Sequence, residues 1–280
     1  MNVLVVGEAL VDRVTRTDGT VVERVGGSPL NVAVALGRLG VDVQLLTALG
    51  DDAHGAAVRE HATASKVDVL AAPLDQTALA DATLDATGAA TYVFDIAWDL
   101  EGAPAPAVAD WLHVGSIGTV LQPGATRVRE LVAGFEGTVS FDPNCRPLLT
   151  PEPDLAAVEE IVAHCDLVKL SDEDAAFLLP GVPLEVVLRR WRDLGPRLVV
   201  VTRGADGALA LGDELVEIPV PAGDPVVDTV GAGDTFMAGL IAAEGLSFDL
   251  AATASRVVVS RVGADPPWRH ELSSALRDEL

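Results

Sequence analysis

Cysteine is scarce in this chain: Cys145 and Cys165 are the two among 280 residues. That is too few for a disulfide framework, and a reducing cytoplasm is the expected setting. The five histidines, at positions 54, 61, 113, 164 and 270, make no metal-ligand spacing with these cysteines, so dedicated zinc or iron chemistry is not expected. Aromatic residues reach only 4% against 49% hydrophobic residues. Ala, Val and Leu must therefore fill the core, which suits helices packed closely on a sheet. Basic residues are also few, 19 against 42 acidic ones, for a formal charge of −23. A surface of that sign tracks neither nucleic-acid phosphates nor an anionic membrane. It does not exclude an anionic small ligand, because backbone N–H groups at a helix N-terminus hold phosphate without Lys or Arg. No uncharged apolar run reaches the roughly 18 residues that span a bilayer. The first ten residues have no basic start and Glu8 interrupts their apolar run, so no secretory leader is expected.

What is present is alternation. Short apolar runs at 3–6, 41–46, 111–114, 139–141, 167–170 and 198–202 are bounded by Gly, Pro or Asp and read as buried strands. Helix-like stretches lie between them, at 30–39, 54–63, 125–133, 158–164, 173–179 and 184–193. Such alternation predicts an α/β fold, a doubly wound and mostly parallel sheet with helices on both faces. Segments 13–25, with a turn at Asp18-Gly19, and 74–99 interrupt the pattern as strand-like insertions. Paired with one another they would make a small separate sheet, a lid over the end of the main one. Segments 207–211 and 216–220 read as an antiparallel hairpin at a sheet edge.

Residues 228–240, Asp-Thr-Val-Gly-Ala-Gly-Asp-Thr-Phe-Met-Ala-Gly-Leu, set a glycine-rich turn directly before a helical run over 234–243. Gly231, Ala232 and Gly233 have little or no side chain, so their N–H groups can converge on an anion, helped by the helix dipole. A phosphoryl group is the natural occupant. Asp234 then has two compatible readings. It caps the helix, as Asp often does, or it takes the proton from a hydroxyl whose oxygen attacks a γ-phosphate. A second stretch, 26–40, is a Gly-Gly turn followed by a helix that stops at Gly40. Paired glycines allow close backbone approach to a ligand, and Asn31 offers both donor and acceptor to a polyol. A plain turn is the alternative.

Together the two stretches resemble the signature motifs of the ribokinase-like (PfkB) carbohydrate kinases, over nearly the whole chain. Gly7-Glu-Ala-Leu-Val-Asp12 is similar to the opening strand with its sugar-contacting Asp. The blocks Gly50-Asp51-Asp52, His113-Val-Gly115-Ser116, Asp142-Pro-Asn144-Cys-Arg146, Lys169-Leu-Ser-Asp-Glu-Asp174 and Val201-Thr202-Arg-Gly204 follow in the family's order. The resemblance implies a ribokinase-like fold, one domain over 1–280 with lid insertions at about 12–26 and 74–100. It implies transfer of the γ-phosphoryl group of ATP to a sugar hydroxyl, with Asp234 as base and the backbone of Gly231, Ala232 and Gly233 as anion hole. Asp12, Gly27, Asn31 and Arg146 would surround the sugar, and Thr202, Gly204 and Gly263 the nucleotide.

Mg2+ is expected beside ATP, with Asp174 acting on it through water, since magnesium keeps several waters. The family often has Asn-x-x-Glu where this chain has Ser171-Asp-Glu-Asp174, for which a helix cap is the plainer reading. A monovalent cation such as K+ is expected at the turn that Asp228 begins, with hydrogen bonding of that loop as the alternative. Fructokinase-type members look most similar; 2-keto-3-deoxygluconate kinase, ribokinase and nucleoside kinase are the alternatives, and a non-catalytic sugar or nucleotide sensor is the rival from another class. Arg146 either contacts the sugar or makes a structural ion pair. Tyr92, Phe94 and Trp98 either stack on the sugar from the lid or pack it. The expected partners are sugar and ATP, with no nucleic acid and no membrane, and a homodimer through the lid.

Overall fold

The computed structural model describes residues 1–84, 90–152, 154–278 and 280. Its elements run in the order β1 (Asn2–Val6), β2 (Leu10–Thr15), β3 (Val21–Gly26), α1 (Ser28–Leu39), β4 (Asp42–Gly50), α2 (Ala53–Ala64), β5 (Val67–Leu74), β6 (Leu79–Leu84) and β7 (Ala90–Asp95). They continue with β8 (Trp111–Gly115), α3 (Gly124–Gly134), β9 (Thr138–Asp142), α4 (Leu155–Val162), β10 (Leu167–Ser171), α5 (Asp172–Leu178) and α6 (Leu184–Arg192). The last part holds β11 (Leu198–Thr202), β12 (Ala208–Leu211), β13 (Leu215–Ile218), α7 (Ala232–Ala242), α8 (Phe248–Val258) and α9 (Ser274–Arg277).

The main sheet has nine strands in the order β13-β12-β11-β10-β9-β8-β1-β4-β5. β1 pairs in parallel with β4 on one side and β8 on the other, so the chain winds outward from β1 in both directions. Strands of such a sheet are buried on both faces and alternate their side chains between two layers. Val3 and Val5 pack with α1, α2, α7 and α8, while Leu4 and Val6 pack with α3 to α6. At one edge β12 runs antiparallel to β11, and β13, antiparallel to β12, returns to the direction of the other strands.

Three elements had no counterpart in the sequence pattern: β5, α8 and the short α9. β5 carries Asp68 and Pro73 among its apolar residues, which an edge strand tolerates. α8 is rich in Ala, Ser and Thr, and these small residues let it approach α7 closely: a Cβ on Gly239 would lie 2.5 Å from Ala251 Cα.

A second sheet, in the order β3-β2-β6-β7, stands apart from the first. The β2–β3 hairpin turns at Asp18-Gly19, and β2 pairs in parallel with β6, which joins the two insertions. Phe94 packs beneath this sheet with Leu10, Ala78, Ala80 and Ile117. The side chain of Tyr92 lies outside the described ones. Trp98 belongs to neither the lid nor a sugar surface: it is 2% exposed within the core, and its Nε1 donates to the Gly118 carbonyl at 2.9 Å. Among the described residues, no helix is long and apolar enough to cross a membrane.

Candidate active site

Ligands of open α/β sheets collect beyond the carboxyl ends of the strands, where the strand order reverses. Here Gly7 and Glu8 follow β1, Ser116 follows β8, Asp142 ends β9, Ser171 ends β10 and Thr202 ends β11. A cleft of about 1300 Å³ opens above these ends and below the lid. Of the sequence-predicted residues, Asp12, Gly27, Asn31 and Arg146 line it on the lid side. Asp174, Thr202, Gly204, Gly263 and the run 231–234 line it on the other side. Asp228 is not among the lining residues.

Asp234 is 7% exposed and is the third residue of α7, whose N-cap is Gly231 with φ 78°. A residue with a Cβ resists that left-handed conformation, so glycine is required there. The capping reading of Asp234 is thereby corrected, because its carboxylate leaves its own helix. Oδ1 accepts from Ser28 Oγ at 2.6 Å and Oδ2 from Asn31 Nδ2 at 2.8 Å. Both donors stand on the first turn of α1, which opens at Gly27 with φ 110°. A Cβ on Gly27 would lie 2.6 Å from the Glu8 carbonyl, so the paired glycines bring α1 against the end of β1. Asn31 thus holds the carboxylate as well as lining the cleft. Ser28 escaped the sequence reading, although its place just after the glycines was a signal.

Below the turn lie more charges. Lys169 and Asp142, both nearly inaccessible, form an ion pair at 2.7 Å. Burial pushes the Asp142 carboxyl up to about 6, with Lys169 pulling it down and Asp174 and Asp234 pushing it further up. Asp142 Oδ1 is buried with no hydrogen-bond partner among the described residues. Asp174 Oδ1 accepts from the Cys145 N–H at 2.7 Å, and its Oδ2 completes a capping box with Ser171. Among the described residues no group of three His, Cys, Asp or Glu side chains is placed to hold a metal ion by itself.

On the lid side, Asp12 reaches into the cleft from β2, and desolvation raises its pKa against the pull of Arg146. Arg146 is exposed and makes no ion pair among the described residues; it wraps its own loop, donating to the Asn144 side chain at 2.6 Å and to two carbonyls. Glu8 is a second residue that sequence reasoning missed as a site group. It is 3% exposed, and its Oε2 accepts from the Gly118 N–H at 3.0 Å. Burial pushes its carboxyl up to about 7, against hydrogen bonds from backbone and Ser116 and the charge of Arg146.

On the opposite side, Thr202 and Gly204 lie where β11 ends. The Asp228 carboxylate ties the glycine turn to the segment after α8, accepting from Gly263 N–H at 2.9 Å and Val230 N–H at 3.1 Å. Arg24 of the lid stands 3.7 Å from Asp228, so lid and turn meet at this point.

A carboxylate fixed by two donors beside a glycine turn at a helix N-terminus, lining a cleft of about 1300 Å³, is an arrangement that suits phosphoryl transfer to a small molecule. The chain matches the profile of the pfkB family carbohydrate kinases over residues 1–270. It belongs to that family and is a sugar phosphotransferase. It is 34% identical over 278 residues to a fructokinase of Klebsiella pneumoniae, spanning 92% of this chain and 90% of the relative. Its fold is similar to that of a fructokinase with bound ATP from Xylella fastidiosa, at 25% identity and TM-score 0.79 over 94% and 93% of the two chains. It is also similar to a fructokinase from Vibrio cholerae O395 in fructose-, ADP- and calcium-bound form, at 28% identity and TM-score 0.80 over 94% of each.

Proposed function

We propose that this kinase phosphorylates fructose, with Asp234 as the general base. The observation that carries the mechanism is the Asp234 carboxylate, fixed from α1 by Ser28 and Asn31 at the mouth of the turn 231–233. A sugar hydroxyl placed against it loses its proton as its oxygen attacks the γ-phosphorus of ATP. The bond to the bridging oxygen of ADP breaks, and the N–H groups of the turn stabilise the charge on the group in transfer. Asp12, Gly27, Asn31 and Arg146 hold the sugar under the lid, and Thr202, Gly204 and Gly263 hold the nucleotide. The lid excludes the water that would otherwise accept the phosphoryl group.

The residues present fit magnesium in an outer role. Asp174 lines the cleft with an Oδ1 that carries a single N–H donor and so retains capacity for a metal-bound water. Magnesium, when bound, neutralises phosphate charge. A monovalent cation at the turn following Asp228 and a cytoplasmic setting belong to the same reading. A homodimer through the lid is supported by Val21 and Val93, exposed at 53% and 65% on lid strands; a monomer in sedimentation at micromolar concentration would remove it.

Fructose is favoured over 2-keto-3-deoxygluconate, ribose or a nucleoside by the 34% identity to a fructokinase. The test is a coupled ADP-release assay with ATP and magnesium against fructose, ribose, 2-keto-3-deoxygluconate, an aminosugar, tagatose-6-phosphate and adenosine, beside a no-sugar blank. Fructose as the main responder supports the reading, and turnover of another sugar without fructose turnover refutes it.

A further inference from the structure

Of the chain's 19 basic residues only two are lysines, Lys66 and Lys169. Lys169 stands on β10, is 3% exposed, and lines the cleft. Its Nζ pairs with Asp142 Oδ2 at 2.7 Å, its one hydrogen-bond partner among the described residues, although an ammonium carries three donors. A Cβ on Gly233 would come within 2.8 Å of that Nζ. The ammonium therefore lies where a side chain on Gly233, in the first turn of α7, would stand.

The carboxylates around it hold this ammonium charged beside the start of α7. The N-terminal end of α7 already carries partial positive charge, and a second buried cation beside it is repelled. Asp142 balances the ammonium, yet a buried ion pair generally gives little net stability over an apolar pair of similar volume. Burial opposes the charged ammonium, but Asp142, and beyond it Asp174 and Asp234, outweigh this and raise its pKa above the ordinary lysine value. The group is a fixed cation at neutral pH. A cation and a helix end facing the same point are explained by an anion that arrives there.

We propose that Lys169 is a further catalytic residue, whose ammonium donates to a peripheral oxygen of the γ-phosphoryl group beside the backbone donors of residues 231–233. The charge of the group in transfer is spread over its three peripheral oxygens, so a cation aimed at one of them works without moving a proton. The acceptor oxygen bonds to phosphorus as the bond to ADP breaks, the hydroxyl proton passes to Asp234, and Lys169 remains protonated throughout.

The inference rests on the kinase reading, and the two fail separately. With magnesium present, calorimetry gives the affinities of ADP and of the non-hydrolysable imido analogue of ATP for wild type and K169M, with no sugar needed. The expected result is an ADP affinity within threefold of wild type and a preference for the analogue over ADP that falls about tenfold. A turnover number at least about 100-fold lower, with the sugar KM within threefold, goes with it. An unchanged preference overturns the inference whatever happens to turnover. Recovery of wild-type turnover in D142N/K169M also overturns it, because the ammonium would then serve only to neutralise Asp142. If K169M does not fold, D142N/K169M, which leaves no unpaired buried charge from this couple, is read for the same preference. A wild type that phosphorylates no sugar refutes the kinase reading alone.

Discussion

Glu8 makes the acid–base behaviour of the cleft measurable. Its carboxyl is buried at the end of β1, accepts from the Gly118 N–H, and is pushed up from 4.5 to about 7 in the folded protein. An acid whose folded pKa is raised favours the folded state while protonated, so its contribution is complete below pH 4.5 and is lost as pH rises through about 7. At about 1.4 kcal/mol per pKa unit, the loss between pH 5.5 and pH 8.0 is on the order of 2 kcal/mol. Glu8→Gln keeps an oxygen for the Gly118 N–H and removes the titration. Urea unfolding of both proteins at both pH values isolates the effect, because every other titrating group cancels in the double difference. The variant is expected to gain about 2 kcal/mol on wild type between pH 5.5 and pH 8.0. A double difference below about 0.5 kcal/mol would refute the burial argument, and would mean that Arg146 and the hydrogen bonds hold Glu8 ionised as an ordinary carboxylate.

The strands and helices around β1 are legible in the sequence because they are locally encoded: continuous apolar runs ended by Gly, Pro or Asp, then amphipathic stretches. The glycine turns are legible for the same reason, since Gly27 and Gly231 answer to local backbone demands. What escapes is set by contacts between distant segments. Ser28 and Asp234 are 206 residues apart, Glu8 and Gly118 are 110 apart, and Lys169 and Asp142 are 27 apart on neighbouring strands. No local pattern joins them, and each pair exists only because parallel winding brings strand ends and helix starts to one edge. Trp98 shows the converse: its spacing from Tyr92 and Phe94 groups it with the lid, but the chain leaves the lid sheet at Asp95 and buries the indole against Gly118. The net charge of −23 opposes surface binding of polyanions, yet it gives no sign of the buried ammonium inside the cleft.

Four further outcomes follow from the geometry. Asp234→Asn is expected to lower turnover by about 10²- to 10⁴-fold, the scale of a lost general base, with an unchanged melting temperature; near wild-type turnover would reduce Asp234 to a structural role. Ser28→Ala removes one of the two donors that hold the carboxylate, and turnover should fall about tenfold, as for a lost hydrogen bond to a charged group, with sugar KM within threefold; an unchanged rate would show that Asn31 suffices. Trp98→Phe leaves the Gly118 carbonyl without its indole donor and should lower unfolding free energy by about 1–3 kcal/mol in urea; no loss would mean that water replaces the indole. The last outcome concerns salt. Surface cations that held the phosphates of ATP would weaken their grip as salt rises, whereas backbone donors and a buried ammonium are screened little. The chain's negative surface meanwhile repels a nucleotide most at low ionic strength, where the Debye length is about 30 Å at 0.01 M against about 10 Å at 0.1 M. The KM for magnesium–ATP is therefore expected to stay level or fall as tetramethylammonium chloride is raised at fixed potassium. A KM that climbs steeply would instead assign the phosphates to the arginines at the cleft mouth, Arg16, Arg24 and Arg256, and would take the anion hole out of nucleotide binding.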